Sequence, residues 1–332
     1  MMDGAPGISR RRLLARAAGA AASAGFAGLT GGRVLAEGRK TARVVVARDD
    51  AVRTDDATLN PGEIRKMLDE AVRRLTDAKD ARSAWGALFS KHDVVAVKVN
   101  CLGMGTNPAV ALAVAEGIVS AGAPWGNIIF WDRSDRELSA AGFEIQTGSA
   151  RLRAFGTDNP AGGGYGNEIE FAGSVGSLFS RILTGAATAV VSVPALKDHD
   201  LAGASLGMKN FFGAIHNPNK YHGNNCDPYI AELCSHPCIA KKLRLVVVDG
   251  TLALANGGPA LNRKFAWNYN GLIVGKDMVA VDRVGVDTIE ARRKELQLPT
   301  LEKLGRAPKY IETAAKLGLG IAAEASIERV EI

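Results

Sequence analysis

Apolar residues fall in short runs separated by longer amphipathic stretches, and the two periods alternate along the chain. Residues 41–48 carry Val44, Val45 and Val46 in succession and predict a buried strand. From 61 to 76 the apolar positions Ile64, Leu68, Ala71, Val72 and Leu75 recur at helical spacing. The succession then repeats. Residues 94–99 form a β-branched run ending in Asn100 and Cys101, Gly103-Met104-Gly105 supplies a turn, and 108–119 is an apolar helix. Residues 127–131 give another strand, after which Ser134 and Glu137 have the spacing of a capping box for a short helix. Alternating strands and helices predict an α/β fold: a layered, Rossmann-like, mixed or mostly parallel sheet.

The second half is less regular. Periodicity weakens over 142–176, where 159–166 reads Asn-Pro-Ala-Gly-Gly-Gly-Tyr-Gly, so this stretch is expected to be a loop-rich excursion or small subdomain over the sheet. Residues 175–183 read as helical. Residues 188–193 predict a strand terminated by Pro194, which starts the following polar block near a strand end. Residues 243–248 repeat the buried-strand pattern and end in Asp249-Gly250, whereas 272–274 look like a shorter edge or final strand. Met278, Val281, Gly285 and Ile289 give 278–292 helical spacing, further helices are expected at 301–304 and 310–317, and 326–332 is strand-like. There is no solenoid repeat, no Gly-x-Gly-x-x-Gly and no phosphate-loop Lys-Ser/Thr, so a nicotinamide-binding domain is not inferred.

Composition narrows the class. The chain has 332 residues, 47% of them apolar and 23% charged, which is enough to form a core without disulfides or repeats and excludes disordered, collagen-like and disulfide-stapled miniature classes. The net charge is +6, but five arginines against one aspartate precede Glu37, leaving a nearly balanced remainder. No basic platform interleaved with aromatics accompanies it, so nucleic acid is not an expected partner. Those early arginines belong to a leader-like pattern: Arg10-Arg11-Arg12-Leu13-Leu14, a mild Ala/Gly-rich core over 17–29, then Val34-Leu35-Ala36. The pattern resembles a twin-arginine signal peptide, with cleavage expected near Ala36. The expected partner is then the twin-arginine export machinery, which carries folded proteins, and the expected location of the domain at 37–332 is periplasmic or otherwise exported. A core this short cannot cross a bilayer that needs about 20 residues, and no later segment is long and apolar enough, so no integral span is expected in the mature chain.

The chemistry is concentrated in one segment: Lys197-Asp198-His199-Asp200, Gly203, Ser205, Met208-Lys209-Asn210-Phe211-Phe212-Gly213, His216 and Lys220-Tyr221-His222-Gly223. In an open α/β sheet, loops beyond the carboxyl ends of strands converge on a crevice, where Lys197 and His199 would be delivered. Gly203 or Ser205 could start a helix whose free amides favour an anion. Lys209 is expected to hold a carboxylate or phosphate and Asn210 to bond its oxygen, with His199, His216 or His222 transferring a proton near neutral pH. Lys98 and Asn100, Asp132 and Arg133, and Asp249 sit at other strand ends and point toward the same rim. The catalytic candidates are therefore His199, His222 and Lys209; the substrate-binding candidates are Lys98, Asn100, Lys197, Asn210 and Asp249. Cys101, Cys226, Cys234 and Cys238 could gather as ligands for an Fe-S cluster or zinc, with disulfides as the alternative use in an oxidising compartment. Cys234 and Cys238 are one helical turn apart, which would also permit a local disulfide. Ser205 lacks the Gly-x-Ser-x-Gly elbow and no His-Glu-x-x-His pair occurs, so serine esterase and zinc peptidase readings gain no support.

The ordered blocks Lys197-Asp198-His199, Met208-Lys209-Asn210-Phe211-Phe212-Gly213, His222, Asp249-Gly250, Gly258-Pro259 and Lys276-Asp277 through Val281-Asp282 resemble the DUF362 family. The resemblance covers most of the chain after the leader. Some members of that family are similar to fusions with ferredoxin-type Fe-S modules, which implies a redox setting, but this sequence has no Cys-x2-Cys-x2-Cys run. The expected function is an exported α/β enzyme, redox-linked and binding an anionic small molecule or cofactor through the 197–222 region. The alternative is a non-catalytic ligand carrier or assembly protein.

Overall fold

The computed structural model describes residues 41–54 and 58–332. The leader-like segment therefore lies outside the described residues. The main sheet is built from β1 (Ala42–Arg48), β2 (Val95–Val99), β3 (Ile128–Trp131) and β4 (Arg153–Ala154) in the first half of the chain. A separate hairpin of β5 (Glu170–Ala172) and β6 (Val175–Ser177) follows, and the sheet resumes with β7 (Ala189–Val193), β8 (Ala195–His199), β9 (Gly203–Ser205), β10 (Leu243–Leu254), β11 (Ala266–Trp267), β12 (Gly271–Gly275) and β13 (Ile327–Glu331). Its central order is β13-β1-β12-β10-β7-β2-β3-β4. The run from β10 to β4 is parallel throughout, and β12 alone runs against both of its neighbours. This is the mixed, mostly parallel α/β sheet that the alternation of periods predicts.

Side-chain alternation along the strands divides the core in two. On β2, Val95, Val97 and Val99 face a core filled by helices α1 (Pro61–Thr76), α2 (Ala81–Gly86) and α3 (Pro108–Ser120). Ala96 and Lys98 occupy the other face, which is covered by α5 (Tyr229–Ser235), α6 (Pro237–Ala240), α7 (Met278–Glu295) and α8 (Tyr310–Lys316); the short α4 (Asp135–Ala140) follows β3. Helix starts are set locally. Asn60 accepts from the amides of Gly62 and Glu63 at the start of α1, and Ser134 accepts from Glu137 N at 3.2 Å at the start of α4, caps of the kind that contribute about 1 kcal/mol each. The capping box at α4 is only half made, because the Glu137 carboxylate turns to Arg133 at 2.7 Å.

Several expectations are corrected. Residues 175–177 are strand rather than helix, because Val175 and Ser177 pair with β5 and bury alternate positions. The 272–274 run is not an edge: β12 lies between β1 and β10, and the edge is β13, which pairs parallel to β1. Residues 301–304 form turns. Pro194 interrupts but does not end its strand. The chain continues as β8 beside the far half of β10, and Pro194 contributes its carbonyl, which accepts from Asp249 N at 2.8 Å. No α-helix begins at Gly203 or Ser205. These residues form β9, antiparallel to β8, and Lys209–Ala214 is a single 3-10 stretch. No helix among the described residues is long and apolar enough to cross a membrane.

Candidate functional site

The carboxyl ends of β2, β3 and β7 and the β8–β9 hairpin surround a cavity of about 410 Å³, within the range of small-molecule pockets. Lys98, Asp132, Lys197, His199, Lys209 and His222 line it. Its floor is a closed polar network. Lys98 Nζ lies 2.7 Å from Asp132 Oδ1, donates to Val99 O at 2.6 Å and to Asn210 Oδ1 at 3.2 Å, and is almost fully buried. Asn210 Nδ2 returns bonds to Lys98 O at 2.8 Å and Ser192 Oγ at 3.1 Å. Asp132 also accepts from the amides of Cys101 and Arg133. Gly213 makes this packing feasible: a Cβ there would sit 2.4 Å from Asp132 Oδ1 and 2.8 Å from Lys98 Nζ.

The β8–β9 hairpin supplies the wall. Lys197 and His199 are two residues apart on one face of β8, and Ser205 is the cross-strand partner of Lys197. Lys197 Nζ donates to Asn100 Oδ1 at 2.8 Å, Leu102 O at 2.6 Å and Met104 O at 2.8 Å, so each ammonium proton has a neutral acceptor. Burial, followed by the charge of Lys209, pulls Lys197 down to about 7. Asp198 faces the opposite side, accepting from Gly258 N at 2.6 Å and Arg306 at 3.1 Å, and this ties the hairpin to the later loops. Gly203, at φ +79°, turns the hairpin where a Cβ would meet Arg306 O at 2.2 Å.

Two histidines and Lys209 face one another across the opening. His199 Nδ1 accepts from the amides of Leu201 at 3.1 Å and Ala202 at 3.3 Å, which leaves its ring proton on Nε2. Burial, then Lys209 and His222, hold its acidity near 3. The 3.0 Å approach of Asp200 Oδ1 to the same Nδ1 is consequently not an ion pair, because the nitrogen carries no proton. His222 Nδ1 lies 3.1 Å from Pro218 O, a carbonyl that can only accept, so the His222 proton sits on Nδ1 and Nε2 presents its lone pair to Lys209 Nζ at 3.1 Å. Burial and the Lys209 charge lower His222 as well. Lys209 Nζ also stands 3.8 Å from the centre of the Phe212 ring, and burial pulls it down to about 8, opposed by Cys226 and Asp200. Asp282, inside α7, accepts from the amides of Gly207 and Met208 at 2.7 and 3.2 Å and so fixes the turn that carries Lys209.

A family model described as "Domain of unknown function (DUF362)" matches residues 95–287. The chain belongs to this family. The matched span runs from β2 into α7 and contains every residue that lines the cavity, so the DUF362 domain carries the candidate site entire. No curated protein matches the sequence. The chain is similar to a protein from Thermotoga maritima of known crystal structure, with a TM-score of 0.43 and 12% identity, over 74% of this chain and 60% of that one.

Within the DUF362 domain the expected residues fall in four places. Lys98, Asn100, Lys197, His199, Lys209, Asn210 and His222 all line the one cavity, as do Asp132 and Arg133. Asp249 does not. It is buried behind the loop 100–107, in a second cavity, and accepts from Asn107 N at 2.7 Å, Thr251 N at 2.9 Å and Thr251 Oγ1 at 2.7 Å. His216 turns away to pack edge-on against Tyr165. The four cysteines do not meet: Cys101 lies in the core on the α1–α3 face, whereas Cys226, Cys234 and Cys238 lie in the core on the other face. All four are buried free thiols whose acidity burial weakens, Cys238 being pushed up to about 12. Cys234 and Cys238 do not share a helix, because α5 ends at Ser235 and the extended His236 precedes α6. Among the described residues, no group of three or more His, Cys, Asp and Glu side chains is placed to hold a metal ion, so no step through zinc or an Fe-S cluster is derived. Asp282 and Arg306 escaped the sequence reading as site residues. An aspartate inside a helix reads as solvent-facing, and its place in the Val281-Asp282 block of the family resemblance was the one signal that singled it out.

Proposed function

We propose that this chain is an exported enzyme acting on a small organic anion held in the DUF362 cavity. One observation carries the reading. Lys197 and Lys209 both reach the cavity, and among the described residues neither has a carboxylate within ion-pair distance, while the two histidines beside them are neutral. Buried cationic charge without a matching anion is costly, and an anionic ligand offsets it. Ser205 and Asn219 also line the cavity, and their side chains have no hydrogen-bond partner among the described residues, so they are free to bond the ligand's oxygens. In this reading Lys209 holds the anionic group, His222 Nε2 takes a proton and the Nε2–H of His199 donates a hydrogen bond. The cysteines take no part in it, because none of them lines the cavity.

The test is binding. Thermal stabilisation by a panel of small carboxylates and phosphate esters, measured on the full chain, should single out at least one anion. Lys209→Met should weaken that anion by about 10- to 100-fold, the effect of losing a charge-assisted bond of about 1.5–3 kcal/mol, with the folded structure retained. Equal affinity in wild type and Lys209→Met would overturn the assignment. Saturable binding without turnover of any bound compound would turn the reading into that of a carrier.

A further inference from the structure

Three lysines reach the cavity, and their ammonium groups are engaged in different ways. Lys98 is bonded to Asp132, Val99 O and Asn210, and Lys197 has a short acceptor for each of its three protons. Of the three, Lys209 alone meets no oxygen among the described residues. Its Nζ contacts the lone pair of His222 Nε2 at 3.1 Å and the face of Phe212 at 3.8 Å. An amine desolvated against an aromatic ring, in contact with a neutral base whose tautomer is fixed by a backbone carbonyl, is the arrangement that activates a lysine nucleophile. The charged and titratable groups around it are His222 and His199, Lys197, Lys98, Arg133, Asp132, Glu137, Asp200 and Cys226. Asp132 is paired with Lys98 and Glu137 with Arg133, and among the described residues no carboxylate is within ion-pair distance of Lys209.

The mouth of the same cavity adds a second feature. Leu102 and Leu201 line it and are 58% and 43% exposed, next to Pro218 and Pro259. Large apolar side chains left open at the entrance of a cationic cavity suit a ligand with an anionic end and an apolar end.

We propose that Lys209 is a nucleophile that condenses with the keto group of a 2-oxo acid bearing an apolar side chain. The proposal rests on the anion site above and deepens it: Lys209 draws the anion in as an ammonium, then gives up a proton and bonds to the carbon beside the carboxylate, which is left in the field of Lys197. The Lys209 ammonium gives one proton to His222 Nε2, and the freed nitrogen pair forms the C–N bond as the carbonyl π pair moves onto oxygen. That oxygen takes the proton back from His222, giving a carbinolamine. A second proton leaves the nitrogen through His222 to the departing hydroxyl, so that one water and one protonated imine are formed from one ammonium and one ketone. No oxidant or reductant is involved. The carboxylate lies in the field of Lys197 within reach of Ser205 and Asn219, and the apolar side chain lies toward Leu102 and Leu201.

The experiment uses the full chain with 4-methyl-2-oxopentanoate and sodium cyanoborohydride, read by intact mass and peptide mapping. A single reduced adduct is expected on Lys209, with Lys98 and Lys197 unmodified. It should vanish in Lys209→Arg and form at least about tenfold more slowly in His222→Gln, the loss expected when a positioned base is removed. No adduct, or labelling spread over surface lysines, would overturn the proposal. Thermal stabilisation by 4-methylpentanoate, which has the carboxylate but no keto group, is measured alongside. If it stabilises the wild type and no adduct forms, the imine falls and the anion site stands; if neither occurs, both fall.

Discussion

Two cavities of nearly equal volume, about 410 and 430 Å³, lie back to back at the strand ends, with loop 100–107 as their common wall. Asn100 and Leu102 face the first, while Cys101 and Gly103 through Asn107 face the second. Each cavity has a buried charge at its base, yet the two are chemically unlike. In the second, Asp249 has three donors, two from Thr251 and one from Asn107, the residue just before α3, and no other charged group among the described residues lines the space. In the first, Lys98 and Asp132 neutralise each other, as do Arg133 and Glu137, but among the described residues Lys197 and Lys209 have no carboxylate within ion-pair distance, and Asp200 acts on Lys209 only at longer range. Volume does not distinguish the two sites. What distinguishes them is whether the chain's own donors and acceptors satisfy the charges that it buries.

The largest effect expected from this comparison is on the floor of the first cavity. Lys98→Met leaves the Asp132 carboxylate buried without its counter-charge, and breaking such a pair costs about 3–5 kcal/mol. Urea unfolding should show that loss, whereas Lys209→Met should change stability by less than about 1 kcal/mol, since no ion pair is broken. Similar losses for both substitutions would show that Lys209 is also held for the fold, and the distinction between floor and opening would collapse.

The second cavity gives the next effect. Asp249→Asn replaces one acceptor by a donor facing either Asn107 N or Thr251 N, so a buried N–H loses its partner and stability should drop by about 1–3 kcal/mol. Affinity for whatever anion the first cavity binds should not move. A parallel loss of affinity would mean that the wall between the cavities transmits strain, and that Asp249 belongs to the site after all.

How far the sequence reveals this division depends on the kind of interaction. The strands at 42–48, 95–99 and 189–193 and the helices at 61–76 and 108–120 are legible, because a periodic apolar pattern is a local record of which face is buried. The gathering of Lys98, Lys197, Lys209 and His222 is legible at one remove, since parallel strands deliver their carboxyl ends to one edge. Asp249 sits at the expected edge but lines the second cavity rather than the first. The partition is made by a loop whose path depends on Lys197 capturing the carbonyls of Leu102 and Met104, a contact across more than 90 residues that leaves no periodic trace. β8 was hidden because Pro194 reads as a terminator, although only its missing N–H matters and its carbonyl still pairs. Cys226, Cys234 and Cys238 are closely spaced in sequence and share one core, but Cys101 is distant in sequence and the alternation continued from β2 sends it to the opposite core.

The smallest effect tests the charge itself. Lys209 in the free protein is pulled down to about 8 by burial, so below that pH it is a cation and the anion affinity should be flat with respect to this group. A bound anion favours the protonated form and raises the lysine's pKa, so binding takes up a proton once the free amine is neutral. Affinity should accordingly fall as pH rises above about 8, by up to tenfold per pH unit or about 1.4 kcal/mol, until the pKa of the complex is reached. Asp249→Asn should keep this profile and Lys209→Met should lose it, with calorimetric titrations in two buffers of different ionisation enthalpy reporting the proton taken up. A fall that persisted in Lys209→Met would move the titrating cation elsewhere. Lys197 is the other candidate, and it would then be acting on the ligand through its charge while its three protons stay bonded to the wall.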